Sequence, residues 1–370
     1  MGRRKSRLTT VAKISRLPGK CRDRSLRAAL AAILAGAWLG AGLAAYAAEP
    51  ARVLTDSAGR KVEVPKSIDR VLPAGFPAAV LLYTLAPDKL VAWPGPLGAG
   101  AMGMLPEKYA KLPVVGRLTS ARSAPSAEAI QALHPDVILD VGTVDQHFAA
   151  LADRVQKETG IPYLLYDGSL ARTAATYRAL GAALGEEVPA EELASYAERA
   201  IAGAGKTLAA HGERVRVYYA RGEGGTTTAF AGSVTAEVID AVGAENVARR
   251  GASGAFVPVT IEQVIAWRPD AFVASDPDLY AIIMREPRWQ QVEAIRTGHV
   301  YLAPGAPFGW LDEPPGVNRL IGLGWLAGVL AQGKPPADMK AVARNFYARF
   351  YHVELTAAQL DELLAPPRLP

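Results

Sequence analysis

The chain has 370 residues, half of them hydrophobic and 21% charged, which is enough to fill the cores of two domains. Its formal net charge is +5 at pH 7, but residues 1–47 contain ten Lys and Arg against one acid. The remaining residues contain 31 basic and 35 acidic side chains, so their net charge is about −4. Because the positive charge is confined to one end, the composition excludes a basic field over a whole domain, and we expect no nucleic-acid partner.

Residues 1–47 have the order of a secretory signal peptide. A basic stretch runs to Arg27, an apolar run covers 28–45, and small residues close it as Ala45-Tyr46-Ala47. A transmembrane anchor is the alternative, because the run approaches the roughly 20 residues that span a bilayer. The run is mostly Ala and Gly and ends in an A-x-A pattern, which favours cleavage near Ala47 and a periplasmic protein. The single cysteine, Cys21, lies in this segment, so we expect no disulfide or thiolate metal site beyond it.

Beyond Arg52, short apolar runs alternate with helical stretches. The first half has predicted strands at 53–54, 62–64, 70–73, 90–93, 114–116, 137–141 and 163–166, and predicted helices at 76–85, 127–133, 148–159 and 173–185. A long helix is predicted over 190–210. The alternation then resumes with strands at 214–219, 271–274 and 299–302, and helices at 234–242, 261–267, 286–296, 320–331 and 339–351. This order predicts an α/β fold: two Rossmann-like lobes with mostly parallel central sheets, joined by one long rigid α-helix.

The predicted boundaries follow from this order. The N-terminal lobe is expected over 52–187, the inter-lobe helix over 188–212, the C-terminal lobe over 213–335, and C-terminal helices with a tail over 336–370. Acidic residues open the inter-lobe helix and Lys206 lies near its end, as the helix dipole favours. A helix of this length would span about 30 Å, which is the width of a domain.

Two segments of the chain repeat each other. Residues 126–139 and 260–273 each begin with a Ser or Thr that can cap a helix, have a glutamate two residues later, and close with Pro-Asp before an apolar strand. Either segment alone would be an ordinary helix-to-strand connection, and coincidence is the alternative. Because each takes the same place in its half of the chain, the pair predicts two duplicated lobes.

With these features the chain resembles the periplasmic binding proteins of ABC importers for iron-siderophores, haem and cobalamin, in which one rigid helix connects two lobes. The opening Asp56-x-x-Gly59-Arg60, the paired Glu…Pro-Asp segments and the turn at 243–247 carry the resemblance. It implies a monomer without a cofactor, which captures an iron chelate of the ferric siderophore type. It also implies delivery of that chelate to an ABC permease and its ATPase in the inner membrane.

The resemblance further implies that Glu128 and Glu262, one on each lobe, contact arginines of the permease. Exposed carboxylates on both lobes can pair with two basic pockets and orient the protein on its partner. The alternative is that each glutamate serves only its own helix, since an acid in the first turn is favoured by the dipole without any partner.

Strand ends predict where a ligand binds, because ligands of open α/β sheets lie at the carboxyl ends of strands, which face the cleft in a two-lobed protein. Phe308 and Asp312 follow one such strand. Aromatic rings and guanidinium groups suit a bulky, flat or anionic ligand. Haem, cobalamin, a nickel chelate, molybdate and tungstate stay open as other cargoes of the same fold. The residues predicted to contact the ligand are Trp93, Arg117, Arg122, Tyr219, Arg221 and Trp310.

Neither a metal site nor a catalytic site is predicted. The five histidines are scattered, without the i, i+4 pairs of a zinc site, although Asp145 with His147 could ligate a metal directly. The chain has no G-x-x-x-x-G-K-[ST] loop and no G-x-S-x-G elbow between strand and helix, and residues 222–225 lack the spacing of a dinucleotide loop. An α/β hydrolase is the alternative from another class. We expect a binding protein and not an enzyme.

Overall fold

The computed structural model describes residues 51–120, 122–210, 212, 214–249 and 256–367. The predicted signal peptide over 1–47 and its cleavage site near Ala47 lie outside these residues. No helix in the described part of the chain is both long enough and apolar enough to cross a membrane.

A hairpin and a parallel sheet form the strands of the first lobe. The strands are β1 Arg52–Thr55, β2 Lys61–Val64, β3 Val71–Pro73, β4 Val137–Gly142 and β5 Tyr163–Asp167. β1 and β2 pair antiparallel, and β3, β4 and β5 form a parallel sheet in that order. In this sheet Val71 lies opposite Val137, and Ile138 lies opposite Tyr163. β3 is buried along its whole length, as expected when both faces of a parallel sheet are covered.

The helices of the first lobe are α1 Phe76–Leu85, α2 Ala99–Met102, α3 Glu107–Ala110, α4 Ala127–Gln131, α5 Gln146–Thr159 and α6 Thr173–Leu184, with 3-10 turns at Pro87–Lys89 and Leu170–Arg172. The predicted strands at 90–93 and 114–116 are reduced to single parallel bridges, which join Val71 to Leu90 and Trp93 to Val114. Prolines limit these strands, because Pro94 and Pro113 lack the N–H group that a strand ladder needs.

The predicted inter-lobe helix is shorter than expected at its end. α7 Glu187–Ala204 is followed by the one-turn helix α8 Lys206–Ala209. Gly205 caps α7, so the uninterrupted helix over 190–210 was wrong in this detail. Gly203 and Gly205 account for the break, because glycine costs about 1 kcal/mol relative to alanine inside a helix. The buried face of α7 packs against α6, which connects the helix firmly to the first lobe.

The second lobe contains a larger parallel sheet. Its strands are β6 Arg216–Ala220, β7 Thr227–Ala229, β8 Glu245–Asn246, β9 Phe256–Pro258, β10 Ala271–Ala274 and β11 Val300–Leu302. Four of them form a parallel sheet in the order β11-β10-β6-β8, and β7 pairs with β9 antiparallel. The parallel central sheets of the two lobes confirm the predicted α/β fold.

The helices of the second lobe and the C-terminal segment are α9 Glu237–Ala241, α10 Ile261–Trp267, α11 Pro277–Arg285, α12 Glu293–Arg296, α13 Arg319–Gln332, α14 Met339–Phe346 and α15 Ala357–Leu363. 3-10 turns lie at Glu223–Gly225 and Trp289–Gln291, and a π-helical turn, Tyr347–Tyr351, continues α14. The single helix predicted over 286–296 was wrong. The structure has the helix α11 before residue 286, and only a 3-10 turn and the one-turn helix α12 within 286–296. The Asp276 carboxylate marks the start of α11 as an N-cap, accepting from the Leu279 N–H (2.8 Å), and Pro287 follows the end of that helix.

The repeated Pro-Asp segments have the same geometry in both lobes. In the first lobe the N–H of Arg70 donates to Asp136 Oδ2 (2.8 Å), and Arg70 Nε donates to the His134 carbonyl (2.9 Å). The residue before the proline has positive φ in both segments, 46° at His134 and 49° at Arg268. The matching bonds of the second lobe, at 2.8 and 3.0 Å, join Arg216 to Asp270 and to Arg268. This shared arrangement supports the predicted duplication.

A buried ion pair ties the two lobes together. Arg319, at the start of α13, has a side chain only 2% exposed, and its Nη1 pairs with Glu237 of α9. Arg319 Nη2 donates to the carbonyl of Gly168 in the first lobe (2.6 Å). Glu237 also accepts from the N–H of Leu170 in the first lobe (2.8 Å). Both members of the pair therefore bridge from the second lobe to the loop after β5.

Candidate ligand-binding cleft

A cavity of about 580 Å³ lies between the lobes. The loops after β3, β6 and β11 contribute to its wall, as expected for strand ends in an α/β protein. Several glycines and prolines complete the lining. The other side chains of the lining include Phe76, Leu97, Arg117 and Thr119 from the first lobe, and Arg221, Val234, Phe256, Phe308, Asp312 and Glu313 from the second.

Three aromatic rings make much of the wall apolar. Phe76 opens α1, and Gly95 approaches it so closely that a Cβ at that glycine would lie 2.9 Å from the ring. Phe308 is nearly buried, and its ring lies 6.1 Å from the ring of Trp93. Phe256 is 41% exposed and lies across the cavity in the second lobe. Such a wall suits an organic ligand with apolar area to bury.

Arg117 is the cationic group of the first lobe at the cavity. Its side chain is exposed and forms no hydrogen bond or ion pair with any described residue. Gly116 directs the chain there with φ of 104°, and a Cβ on that glycine would lie 2.2 Å from the Ser123 carbonyl oxygen. The tight turn therefore presents an unpaired guanidinium to whatever enters the cleft.

Arg221, directly after β6, is the cationic group of the second lobe. Its Nη1 pairs with Asp312 and donates to the hydroxyl of Tyr219 (3.1 Å), and its Nη2 lies 2.7 Å from Glu313 Oε1. The Tyr219 hydroxyl donates to Asp312 Oδ1 (2.5 Å). The guanidinium lies 5.0 Å from the ring centroid of Phe256, within the range of a cation–π contact. Arg221 is thus held in place by partners on several sides.

The two carboxyl groups beside Arg221 differ from ordinary acids. Burial raises the pKa of Asp312, and the charge of Arg221 and the hydrogen bond from Tyr219 oppose that rise. Burial also raises the pKa of Glu313, with Arg221 again opposing the rise and Asp312 adding to it. Burial raises the pKa of Tyr219 well above its ordinary value, so its hydroxyl stays protonated and can donate. The second lobe's part of the wall therefore contains a guanidinium, Arg221, that is already paired with two carboxyl groups.

Two of the six predicted ligand residues, Arg117 and Arg221, line the cavity. Trp93 is fully buried and its Nε1 donates to the Tyr109 carbonyl (2.8 Å). Trp310 is 1% exposed and its Nε1 donates to the Tyr347 hydroxyl (3.2 Å). Both rings pack in the core and not on the cavity wall, and the protein itself satisfies the N–H group of each indole. We therefore leave both tryptophans out of the proposed ligand contacts.

The other two predicted residues lie elsewhere for different reasons. Tyr219 is buried behind Arg221 and supports that guanidinium and Asp312. Arg122 is exposed in a turn and is not part of the cavity wall. Sequence reasoning missed Phe76 and Phe256. Phe76 was detectable, because it follows β3 within three residues. Phe256 begins the three-residue strand β9, which pairs with the distant β7 and left no clear periodic pattern.

Glu128 and Glu262 lie in the first turns of α4 and α10 and are exposed. The predicted caps are confirmed: Ser126 accepts from the Ala129 N–H (3.2 Å), and Thr260 forms a capping box with Gln263. Hydrogen bonds from its own backbone and from Ser126 lower the pKa of Glu128. Glu262 Oε1 lies 2.7 Å from Arg288 Nη2 on the surface, a partner that the sequence did not reveal.

Asp145 and His147 have other roles in the structure. The Asp145 carboxylate caps α5 by accepting from the Phe148 N–H (2.9 Å), and the His147 ring packs edge-on against Phe148. Within the described ranges, no group of three or more His, Cys, Asp and Glu side chains is close enough to hold a metal ion.

Comparison with known proteins places this geometry in a family. The family model "Periplasmic binding protein" matches residues 105–307, which is more than half of the chain. The chain is 25% identical over 331 residues to the molybdate-binding protein MolA of Haemophilus influenzae, covering 81% of this chain and 91% of that protein.

Solved structures show the same architecture. An ABC transporter solute-binding protein from Sulfurospirillum deleyianum superposes with a TM-score of 0.76 at 26% identity, over 84% of this chain and 98% of that one. A periplasmic solute-binding protein from Veillonella parvula gives a TM-score of 0.69 at 24% identity, over 85% and 97%.

The chain belongs to the periplasmic binding protein family. It is a solute-binding protein of two lobes and not an enzyme, which confirms the resemblance seen in the sequence and the expectation of a binding protein.

Proposed function

We propose that the protein is exported, captures an anionic metal chelate of the ferric siderophore type between its lobes, and delivers it to an ABC permease and its ATPase. The observation that supports this cargo is the cavity, which combines aromatic walls with the guanidinium of Arg117, a group that has no partner among the described residues. Its volume of about 580 Å³ lies within the range of about 300–1,000 Å³ that is usual for organic ligands. Aromatic rings supply contact area for the organic part, and the guanidinium pairs with carboxylate, catecholate or hydroxamate oxygens.

Molybdate is the second candidate, because the Haemophilus influenzae relative is named for binding it. Size argues against a bare oxyanion here. Four oxygens, at about 30 Å³ for each water-sized group, occupy on the order of 100 Å³, well below the cavity volume.

The cargo is tested by direct binding to the purified protein. Native mass spectrometry and tryptophan fluorescence would be recorded with ferric catecholate, ferric hydroxamate, ferric citrate, haemin, cobalamin and molybdate. Trp93 lies against Phe308 of the cavity wall, so its emission should respond to an occupied cleft. Binding of a ferric chelate supports the proposal. Binding of molybdate alone, or of no member of the panel, contradicts it.

Replacing Arg117 by glutamine should weaken binding of the anionic chelate by about 10- to 100-fold, because a hydrogen bond to a charged group contributes about 1.5–3 kcal/mol. Isothermal titration calorimetry measures the change. Arg122→Gln is the matched control. Arg122 is five residues from Arg117 and lies outside the cavity, so the variant removes the same charge without touching the ligand. Equal losses in both variants would show that the overall charge, and not the contact, is responsible.

A further inference from the structure

Arg221 has two carboxylate partners, and these differ in how far they are exposed to solvent. The Asp312 side chain is fully buried, whereas the Glu313 side chain is 42% exposed. The loop that carries them is tight: the Gly309 N–H donates to the Glu313 carbonyl (2.6 Å), which places both acids next to Arg221. The two ion pairs of one guanidinium therefore differ in how easily each can be exchanged.

Asp312 is a permanent partner. Its Oδ1 accepts from the Tyr219 hydroxyl (2.5 Å) and pairs with Arg221 Nη1, and Arg221 also donates to Tyr219 (3.1 Å). These three groups form one hydrogen-bonded network, in which Tyr219 and Asp312 are buried and Arg221 is partly buried. Removing Asp312 from it would leave a buried guanidinium and a buried hydroxyl without their acceptor, which is costly.

Glu313 is an exchangeable partner. Its side chain has one ion pair among the described residues, from Oε1 to Arg221 Nη2 (2.7 Å), and it borders the cavity. Burial favours its neutral form, and the charges of Asp312 and Asp276 act in the same direction, so that Arg221 alone favours the carboxylate. Across the cavity, Arg117 offers a second guanidinium, which has no partner in the part of the chain that the structure describes.

We propose that Glu313 is a resident counter-ion that the anionic group of the ligand displaces from Arg221, so that Glu313 sets which anions the cleft accepts. This rests on the proposed function, which places an anionic ligand between Arg117 and Arg221. Displacement exchanges one negative oxygen for another at Nη2, while the network of Asp312 and Tyr219 keeps the guanidinium in place. Anions that pair weakly with a guanidinium cannot compete with Glu313 and are rejected, which is specificity by competition.

The exchange has a pH signature. Ionised Glu313 competes with the ligand and protonated Glu313 does not. Wild-type affinity should therefore fall as pH rises through the pKa of Glu313, which burial places above that of an ordinary glutamate. The charged groups facing Glu313 are Arg221, Asp312 and Asp276, with Arg117 across the cavity. Removing the carboxyl group should remove this component of the pH profile.

The test compares Glu313→Gln with wild type by calorimetry, using ferric citrate and molybdate as probes. The variant should bind at least one probe about 2- to 5-fold more tightly, since an ion pair with an exposed member contributes up to about 1 kcal/mol. Glu223→Gln is the control, because it removes the same charge from an exposed residue two positions from Arg221. It should leave affinity unchanged. Circular dichroism would establish that both variants fold.

The outcomes separate this proposal from the cargo assignment. Probe binding by Glu313→Gln but not by wild type would support displacement and count against the cargo proposed for wild type. Weaker or unchanged binding in Glu313→Gln, or an equal gain in Glu223→Gln, would overturn the displacement. Failure of Glu313→Gln to bind either probe would also overturn it, because a freed Arg221 should then accept an anion.

Discussion

Replacing Glu237 by glutamine is expected to lower the free energy of unfolding by about 3 kcal/mol, the lower end of the cost of breaking a buried ion pair. The Arg319 side chain is 2% exposed and that of Glu237 25%, so the variant leaves a buried guanidinium without its counter-charge. Burial already lowers the pKa of Arg319, and the charge of Glu237 opposes that change. Urea unfolding followed by circular dichroism measures the loss.

The control for this variant is Glu191→Gln on the surface. Arg178 pairs with Glu191 at 2.6 Å, but both side chains are exposed, at 40% and 55%. Such a pair contributes no more than about 1 kcal/mol. A loss in Glu237→Gln as small as that of the control would mean that the contacts between α9, α13 and the loop at Gly168 do not depend on the ion pair.

Charge reversal at both Glu128 and Glu262 should reduce transport to background and leave ligand affinity unchanged. Both glutamates are exposed in the first turns of equivalent helices, and neither borders the cavity. If each meets a permease arginine, as we propose, a lysine at either position brings like charges together at a cost of several kcal/mol. Uptake of labelled ligand by cells that carry the permease, together with calorimetry on the purified variants, measures the two effects separately.

The matched control is the double variant Glu158→Lys, Glu286→Lys, which makes the same charge change with one exposed residue on each lobe. Normal uptake by the Glu128 and Glu262 double variant would remove the docking role. Equal loss in the control would assign the effect to net charge. Arg288 already pairs with Glu262 in the free protein, so docking at that position requires an exchange of partners.

The local patterns of the sequence were sufficient for the architecture. Continuous apolar runs marked β4, β5 and β10, and the capping residues Ser126 and Thr260 marked the starts of α4 and α10. The errors occurred where local signals were weak or conflicting. Gly205 ends α7 earlier than expected, and the helix α11, which Asp276 caps, was not predicted.

The wall of the cleft required the tertiary structure. The residue pattern alone was enough to predict an α/β fold of two lobes, the loops that lie at the strand ends, and the family to which the chain belongs. Only the fold decided that Arg117 faces the cavity while Arg122 does not, and that Trp93 and Trp310 turn into the core. The reason is that side-chain direction depends on distant partners. The indole of Trp310 meets Tyr347, and Arg221 meets Asp312, 91 residues away, and no local periodicity contains those contacts.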